Sequence, residues 1–156
     1  MPSKQKRSDY YVRAVNIEDG EVWETILGLH KKCFIDNSPL PHRMGVWWIC
    51  FHHDDPVGFA GMIHSNQGKD NGYLYRFGVI PGHRGLGLQR RLTYVVEKCA
   101  RKMGLGWLVT DTNHNPPSAN SFIKCGYQTY TPEKPWSFSS ATYWRKKLRE
   151  EAEDLT

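Results

Sequence analysis

The stretch RFGVIPGHRGLGLQRRL, residues 76–92, joins a β-like apolar run to a basic, helical rhythm through a Pro-Gly break and two glycines one residue apart. Leaving a strand through HRGLGLQ and entering a helix presents several backbone N–H groups at once. Helix N-termini carry unpaired donors and partial positive charge, which suits an anion such as phosphate. Gly85 and Gly87 let the backbone approach a bulky anion, and Arg84 adds charge. The same spacing also serves a tight strand-to-helix turn in which glycine answers to geometry alone, because short glycine patterns are weakly specific. On spacing, both readings stand.

The elements around this turn set where it sits. DYYVRAVN reads as a first strand, Tyr11 to Val15, with Asn16 as cap of the next helix and Asp19 at its third position. Trp23, Ile26, Leu27, His30 and Phe34 follow helical spacing on one face. DNSPLPHRMG is loop or a short broken helix, since its prolines interrupt anything longer. VWWICFHH and PVGFAGMIHS read as a hairpin turned at DDP, and GYLYRFGVI as a fourth strand. Leu92, Val95, Val96, Cys99 and Met103 give the second helix, ended by Gly104. WLVTDT is a fifth strand, PPSANSFIKCG a short helix opened by proline, and YQTYT and SATYWRKKL late strands. Hairpin strands followed by strand-helix units imply a single domain of α/β class with a central mixed sheet flanked by helices. Ligands in such sheets favour the carboxyl ends of strands, which is where the glycine turn falls.

A chain of 156 residues fits one domain with a sizeable core. With 39% hydrophobic and 24% charged residues, wholesale disorder is excluded. A net charge of +5 suits an anionic partner: a phosphorylated cofactor, nucleic acid or an acidic protein. Part of that charge is local to MPSKQKRS, which lacks the apolar core of a targeting signal. Residues 1–9 therefore read as a disordered basic leader, 10–148 as the domain and 149–156 as a charged tail. No run is apolar enough to span a bilayer, so no membrane partner is expected. Cys33, Cys50, Cys99 and Cys125 are scattered, which favours reduced thiols in cytoplasm over disulfides or a metal framework. The seven histidines form no metal set either: His52 and His53 are adjacent in a strand-like run and should face opposite sides, so no metal is expected.

Two motifs break the tie over the glycine turn. VIPGHRGLGLQRRL resembles the acyl-CoA pyrophosphate loop of the GNAT superfamily of N-acetyltransferases, Q/R-x-x-G-x-G/A, with Arg84, Gly87 and Gln89 at those positions. Glutamine replaces the usual glycine or alanine at the last of them. NPPSANSFIKCGY resembles the family segment N-x-x-A-x-x-x-Y-x-x-x-G-F, with Asn115, Ser118, Phe122, Gly126 and Tyr127 in register. Two motifs in this order, a helix and a strand apart, are far more specific than either alone, and the strand order fits from Tyr10 to Leu148. The resemblance implies a GNAT-like fold with acetyl-CoA as co-substrate. The pantetheine arm would lie along the fourth strand near Phe77 and Val79. The pyrophosphate would sit on the amides of Arg84, Gly85, Leu86, Gly87, Leu88 and Gln89. Asn115, Ser118 and Phe122 would face the cofactor near the fourth and fifth strands.

The resemblance also implies an acid and a base. Phe122 stands where many relatives place a tyrosine that protonates the departing thiolate. A thiol with pKa near ~8.5 makes that loss cost only about 2 kcal/mol at neutral pH. Many relatives carry a glutamate base on the fourth strand, and GYLYRFGV has none. Tyr73 and Tyr75 share one face by alternation and either organise a water or belong to the core. Asp111, at the end of the fifth strand, is either a general base or a turn or capping aspartate. His114 is a second base candidate or a solvated loop histidine. Acceptor specificity is expected from CFIDNSPLPHRMGVWW and TPEKPWSFSSATYW, whose aromatics suit an apolar pocket or a lid.

The leading expectation is an acetyl-CoA-dependent N-acetyltransferase acting on a primary amine of a small molecule. Modification of a protein amine or nucleobase is the alternative, with nucleic acid admitted by charge but not favoured. A CoA-binding module without chemistry is the third. Monomer and homodimer both remain open.

Overall fold

The computed structural model describes residues 6, 9–34, 38–65, 68, 70–150 and 152. Most of the expected leader and part of the charged tail lie outside the described residues, as do three positions of the loop after the first helix. The element order is β1 (Tyr10–Val15), α1 (Gly20–Cys33), β2 (Val46–His52), β3 (Asp55–His64), β4 (Asn71–Val79), α2 (Leu88–Lys102), β5 (Trp107–Thr112), α3 (Pro116–Lys124), β6 (Gln128–Tyr130) and β7 (Thr142–Lys147). Hydrogen-bonded strands run in the order β1-β2-β3-β4-β5-β7-β6, a seven-stranded mixed sheet. β4 and β5 are parallel, whereas β1 with β2, β5 with β7 and β6 with β7 are antiparallel. Among the described residues no helix is long and apolar enough to cross a membrane.

The chain groups into two compact units, residues 1–61 with 76–92 and residues 62–75 with 93–156. In the first, α1 buries Trp23, Ile26, Leu29 and His30. Trp23 meets Trp47 edge-on with ring centroids 5.5 Å apart, and Trp47 stacks on Phe59 at 6.4 Å. Burying a side chain of this kind stabilises by about 1.5–3 kcal/mol. Gly61 admits the Trp47 ring, for a Cβ there would lie 2.7 Å from it. The cap of α1 differs from the expected one. Asp19, not Asn16, accepts from the amides of Glu21 and Val22 at 2.9 and 3.4 Å. Asn16 instead accepts from Glu18 N at 3.0 Å, holding a separate turn before the helix begins.

The β2–β3 connection also departs from the sequence reading. β2 ends at His52, and His53 takes a left-handed φ of 53°. Strand alternation stops there, so the two imidazoles share a side, with ring centroids 4.5 Å apart.

In the second unit, Leu74, Val96, Ala100, Leu108, Val109, Phe122 and Trp144 form the core. The buried side of α2 includes Leu88, Leu92, Val96 and Ala100, together with Thr93 and Glu97, while Met103 is exposed past the helix end. Gly104 closes α2 as expected: its φ is 82° and Leu105 N donates to Ala100 O at 3.0 Å. Glu97 is buried yet fully engaged, accepting from Lys146 Nζ and from the Tyr127 hydroxyl, each at 2.9 Å. Burial, and then that carboxylate, push the Tyr127 hydroxyl well above the usual tyrosine range.

Candidate functional site

β4 runs out at Val79, within the first unit, and the chain turns through Pro81–Gly87 into α2. Gly82, Gly85 and Gly87 adopt φ of 95°, 82° and 75°. Left-handed residues interleaved with ordinary ones turn successive N–H groups inward and create a concavity for anions. The first turn of α2 begins beside it and carries no acidic residue. Arg84 and Gly85 are exposed, Leu86, Gly87 and Gln89 are half-buried, and Leu88 is buried as the first helical residue. Arg84 Nε donates to Val79 O at 2.7 Å, which pins the turn to the strand it leaves. A guanidinium has five N–H donors, so this bond leaves others for an anion. The Tyr10 hydroxyl and His83 Nδ1 are 2.8 Å apart, anchoring the turn to β1. Phe77, half-buried, and Val79, buried, occupy β4 where a pantetheine arm was expected.

The second unit holds the acid–base candidates. β4 pairs with β5 as far as Tyr73↔Val109, and beyond that rung Thr110 Oγ1 donates to Leu74 O at 3.0 Å. Asp111 follows on β5. Its Oδ1 accepts from the Tyr73 hydroxyl at 2.6 Å and from Trp136 Nε1 at 2.9 Å. It is therefore neither a turn nor a capping aspartate, since α3 is capped by Asn115, whose Oδ1 accepts from Ser118 N at 3.2 Å. The short Tyr73 bond is of the charge-assisted kind. The Tyr75 ring lies 5.9 Å from that of Tyr73. His114 stands apart, exposed in the β5–α3 turn with φ 50°.

Trp136 was not singled out from the sequence. It lies in the aromatic loop TPEKPWSFSS, and the signal available was that a partly buried indole N–H seeks an acceptor. Its ring packs on Tyr73 at 5.5 Å and on Tyr143 at 4.5 Å, and the Tyr143 hydroxyl accepts from Ser137 N at 2.9 Å. Burial pushes the neighbouring Tyr130 hydroxyl up to about 12. The arrangement is a half-buried carboxylate held by two aromatic donors among further aromatic rings, suited to receiving a cationic or hydrogen-donating group.

Phe122 is fully buried, its ring 5.1 Å from Tyr127 and 6.3 Å from Trp144, and Ser118 is buried beside it in α3. A Phe122→Tyr variant is expected to gain at most roughly tenfold in kcat, within the ~2 kcal/mol available from protonating a thiolate. Steady-state kinetics of the folded variant measure it, and a gain of several orders of magnitude contradicts a tolerable thiolate leaving group.

The acetyltransferase (GNAT) family model matches residues 9–127. No curated protein matches the chain in sequence. Among solved structures, the ribosomal-protein-S18-alanine N-acetyltransferase of Escherichia coli superposes with TM-score 0.71 at 13% identity, covering 94% of this chain and 99% of that one. The yncA protein of Salmonella typhimurium, solved with its cofactor acetyl-CoA, gives 0.70 at 16% identity over 93% and 97%. The PaiA N-acetyltransferase of Thermoplasma acidophilum, in complex with coenzyme A, gives 0.68 at 14% identity over 88% and 98%. These likenesses share the fold.

Proposed function

Because the chain belongs to the acetyltransferase (GNAT) family, we propose that it transfers the acetyl group of acetyl-CoA to a primary amine of a small molecule. The observation that carries the cofactor half is the glycine turn: left-handed Gly85 and Gly87 open the backbone immediately before the N-terminus of α2. The amides of residues 84–89 hold the diphosphate, and Arg84 adds charge to it. Asn115, Ser118 and Phe122 are assigned to the cofactor by their register in the second motif. The bound thioester supplies an activated acetyl group that an uncharged amine attacks.

Asp111 carries the acceptor half. Its carboxylate, oriented by Tyr73 and Trp136, receives the acceptor and takes the proton its ammonium form must lose before attack; the second proton lost from nitrogen leaves with the thiolate as CoA thiol. Tyr75 and His114 are the remaining candidate proton carriers. A lone carboxylate is a poor base for a lysine-like amine, which at pKa ~10.4 pays ~4–5 kcal/mol to lose its proton at neutral pH. An amine near pKa ~8 pays only ~1–1.5 kcal/mol. The preferred acceptor is therefore an amine of lowered pKa within aromatic surroundings. None of the four cysteines is held in a disulfide, which supports a cytoplasmic setting.

The experiment is acetyl-CoA consumption over a matched series of primary amines with pKa from about 7 to 10, including a peptide with a free N-terminal alanine. Rates that track the neutral-amine fraction support the reading. Asp111→Asn, which keeps an acceptor but removes charge, should lower kcat/KM on the order of 10²-fold. Turnover of the peptide alone makes the acceptor a protein amine, and CoA binding without turnover of any amine makes the protein a binding module.

A further inference from the structure

Away from the glycine turn and the Asp111 network, the start of β1 and the end of β2 gather two imidazoles and a carboxylate. The register Tyr10↔His52 extends one rung outward, with His53 N donating to Asp9 O at 3.1 Å, so Asp9 stands across from His53. In an extended strand His52 and His53 would project to opposite faces. The left-handed φ of 53° at His53 brings its ring round to the side of His52 instead. One ligand atom from each of Asp9, His52 and His53 then lies within 4.8 Å of the other two.

We propose that Asp9, His52 and His53 form a binding site for a divalent first-row transition metal such as Zn²⁺ or Co²⁺. Two imidazole nitrogens and one carboxylate oxygen, with no thiolate, make a borderline donor set that suits these ions and not Ca²⁺ or Mg²⁺, which take oxygen ligands. Three protein ligands leave a coordination position for water. Bonds of ~2.0–2.1 Å to a tetrahedral ion set donors roughly 3.3 Å apart. Side-chain rotation supplies the remaining closure, because His53 is exposed and Asp9 and His52 are half-buried. Supporting contacts orient two of the ligands. Asp9 Oδ2 accepts from Lys6 N at 3.0 Å, and the His52 ring rests 4.7 Å from Tyr10 and 5.1 Å from His83. His83 Nδ1 is already engaged by the Tyr10 hydroxyl. The metal clips the first residue before β1 to the β2–β3 turn.

The test uses the full chain without a polyhistidine tag, stripped with chelator and titrated with Co²⁺ by visible absorption and with Zn²⁺ by calorimetry. One equivalent should bind with Kd of about 10 µM or tighter. His52→Gln, Asp9→Asn and His53→Asn should each weaken it at least about tenfold; asparagine at 53 tolerates the left-handed backbone and keeps the variant folded. His64→Ala, an exposed histidine elsewhere, should leave affinity unchanged. Absence of binding at about 1 mM metal, an affinity indifferent to the three substitutions, or an equal loss in His64→Ala would overturn the site.

Discussion

A Gly87→Val variant is expected to bind CoA on the order of 10³-fold more weakly in calorimetry, about 4 kcal/mol. Gly87 has φ 75°, and its carbonyl accepts Arg91 N at 3.1 Å, so it is the residue from which α2 starts. A β-branched residue is a steric outlier at positive φ. Either the backbone leaves the left-handed region and the arrangement of the turn's amides is lost, or it stays there under strain with a branched side chain added to the turn. Both routes are expected to weaken the phosphate contacts proposed for the turn. The affinity for an amine acceptor should change little, because the Asp111 network shares no residue with the turn. Strain of this kind costs roughly 1–3 kcal/mol of stability, so circular dichroism must show the variant folded at the assay temperature. A folded variant whose CoA affinity is within a few-fold of the parent would falsify the phosphate role and leave the glycines with backbone geometry alone.

Lys146→Met is expected to cost about 3 kcal/mol or more in urea denaturation, a large share of the ~5–15 kcal/mol that holds a domain together. Glu97 is 1% exposed and Lys146 21% exposed. The ammonium bonds Glu97 Oε1 at 2.9 Å and Cys125 O at 2.6 Å, so its removal strips a buried carboxylate and a carbonyl together. Arg101, at 3.7 Å and 45% exposed, is too solvated to replace it. Pairing the change with Glu97→Gln should restore part of the loss, since removing both charges spares the uncompensated one. Tyr127 gives the same cluster an alkaline limit. Its proton is held above the usual range in the folded chain, so its contribution is intact below about pH 10 and fades as pH rises further. Tyr127→Phe should flatten that part of the profile.

What the sequence disclosed tracks how local each feature is. Apolar periodicity carried the element order, and Gly104 and Pro116 marked helix ends because each acts through its own backbone. The glycine turn was legible for the same reason. Asp111 was visible as a residue but not as a network, because its partners Tyr73 and Trp136 are 38 and 25 positions away. The Asn16 cap was displaced by three residues because an asparagine and an aspartate compete for the same kind of turn, and the nearer one to the helix won. Glu97 hides behind its charge: a carboxylate at a helical position reads as solvent-facing until a lysine 49 positions later is folded against it. The left-handed φ of His53 breaks the strand alternation that the sequence reading applied, although histidine is among the residue types that adopt it more often than most, and with it went the shared side of the two histidines.

β7 lies between β5 and β6, pairing from Thr112↔Thr142 to Trp107↔Lys147 on one side and over Gln128–Tyr130 on the other. A ribosome delivers these strands in a different order from the one in which they hydrogen-bond. β5 and β6 leave it first, with no common neighbour, and the strand that joins them comes last. Until residues 142–147 emerge, one margin of Trp107–Thr112 presents unpaired amides and carbonyls next to apolar side chains, the condition under which nascent chains pair with one another. Closure of this half of the sheet therefore waits on residues 142–147, and any ribosome that stalls before Thr142 holds a chain with an open, adhesive seam.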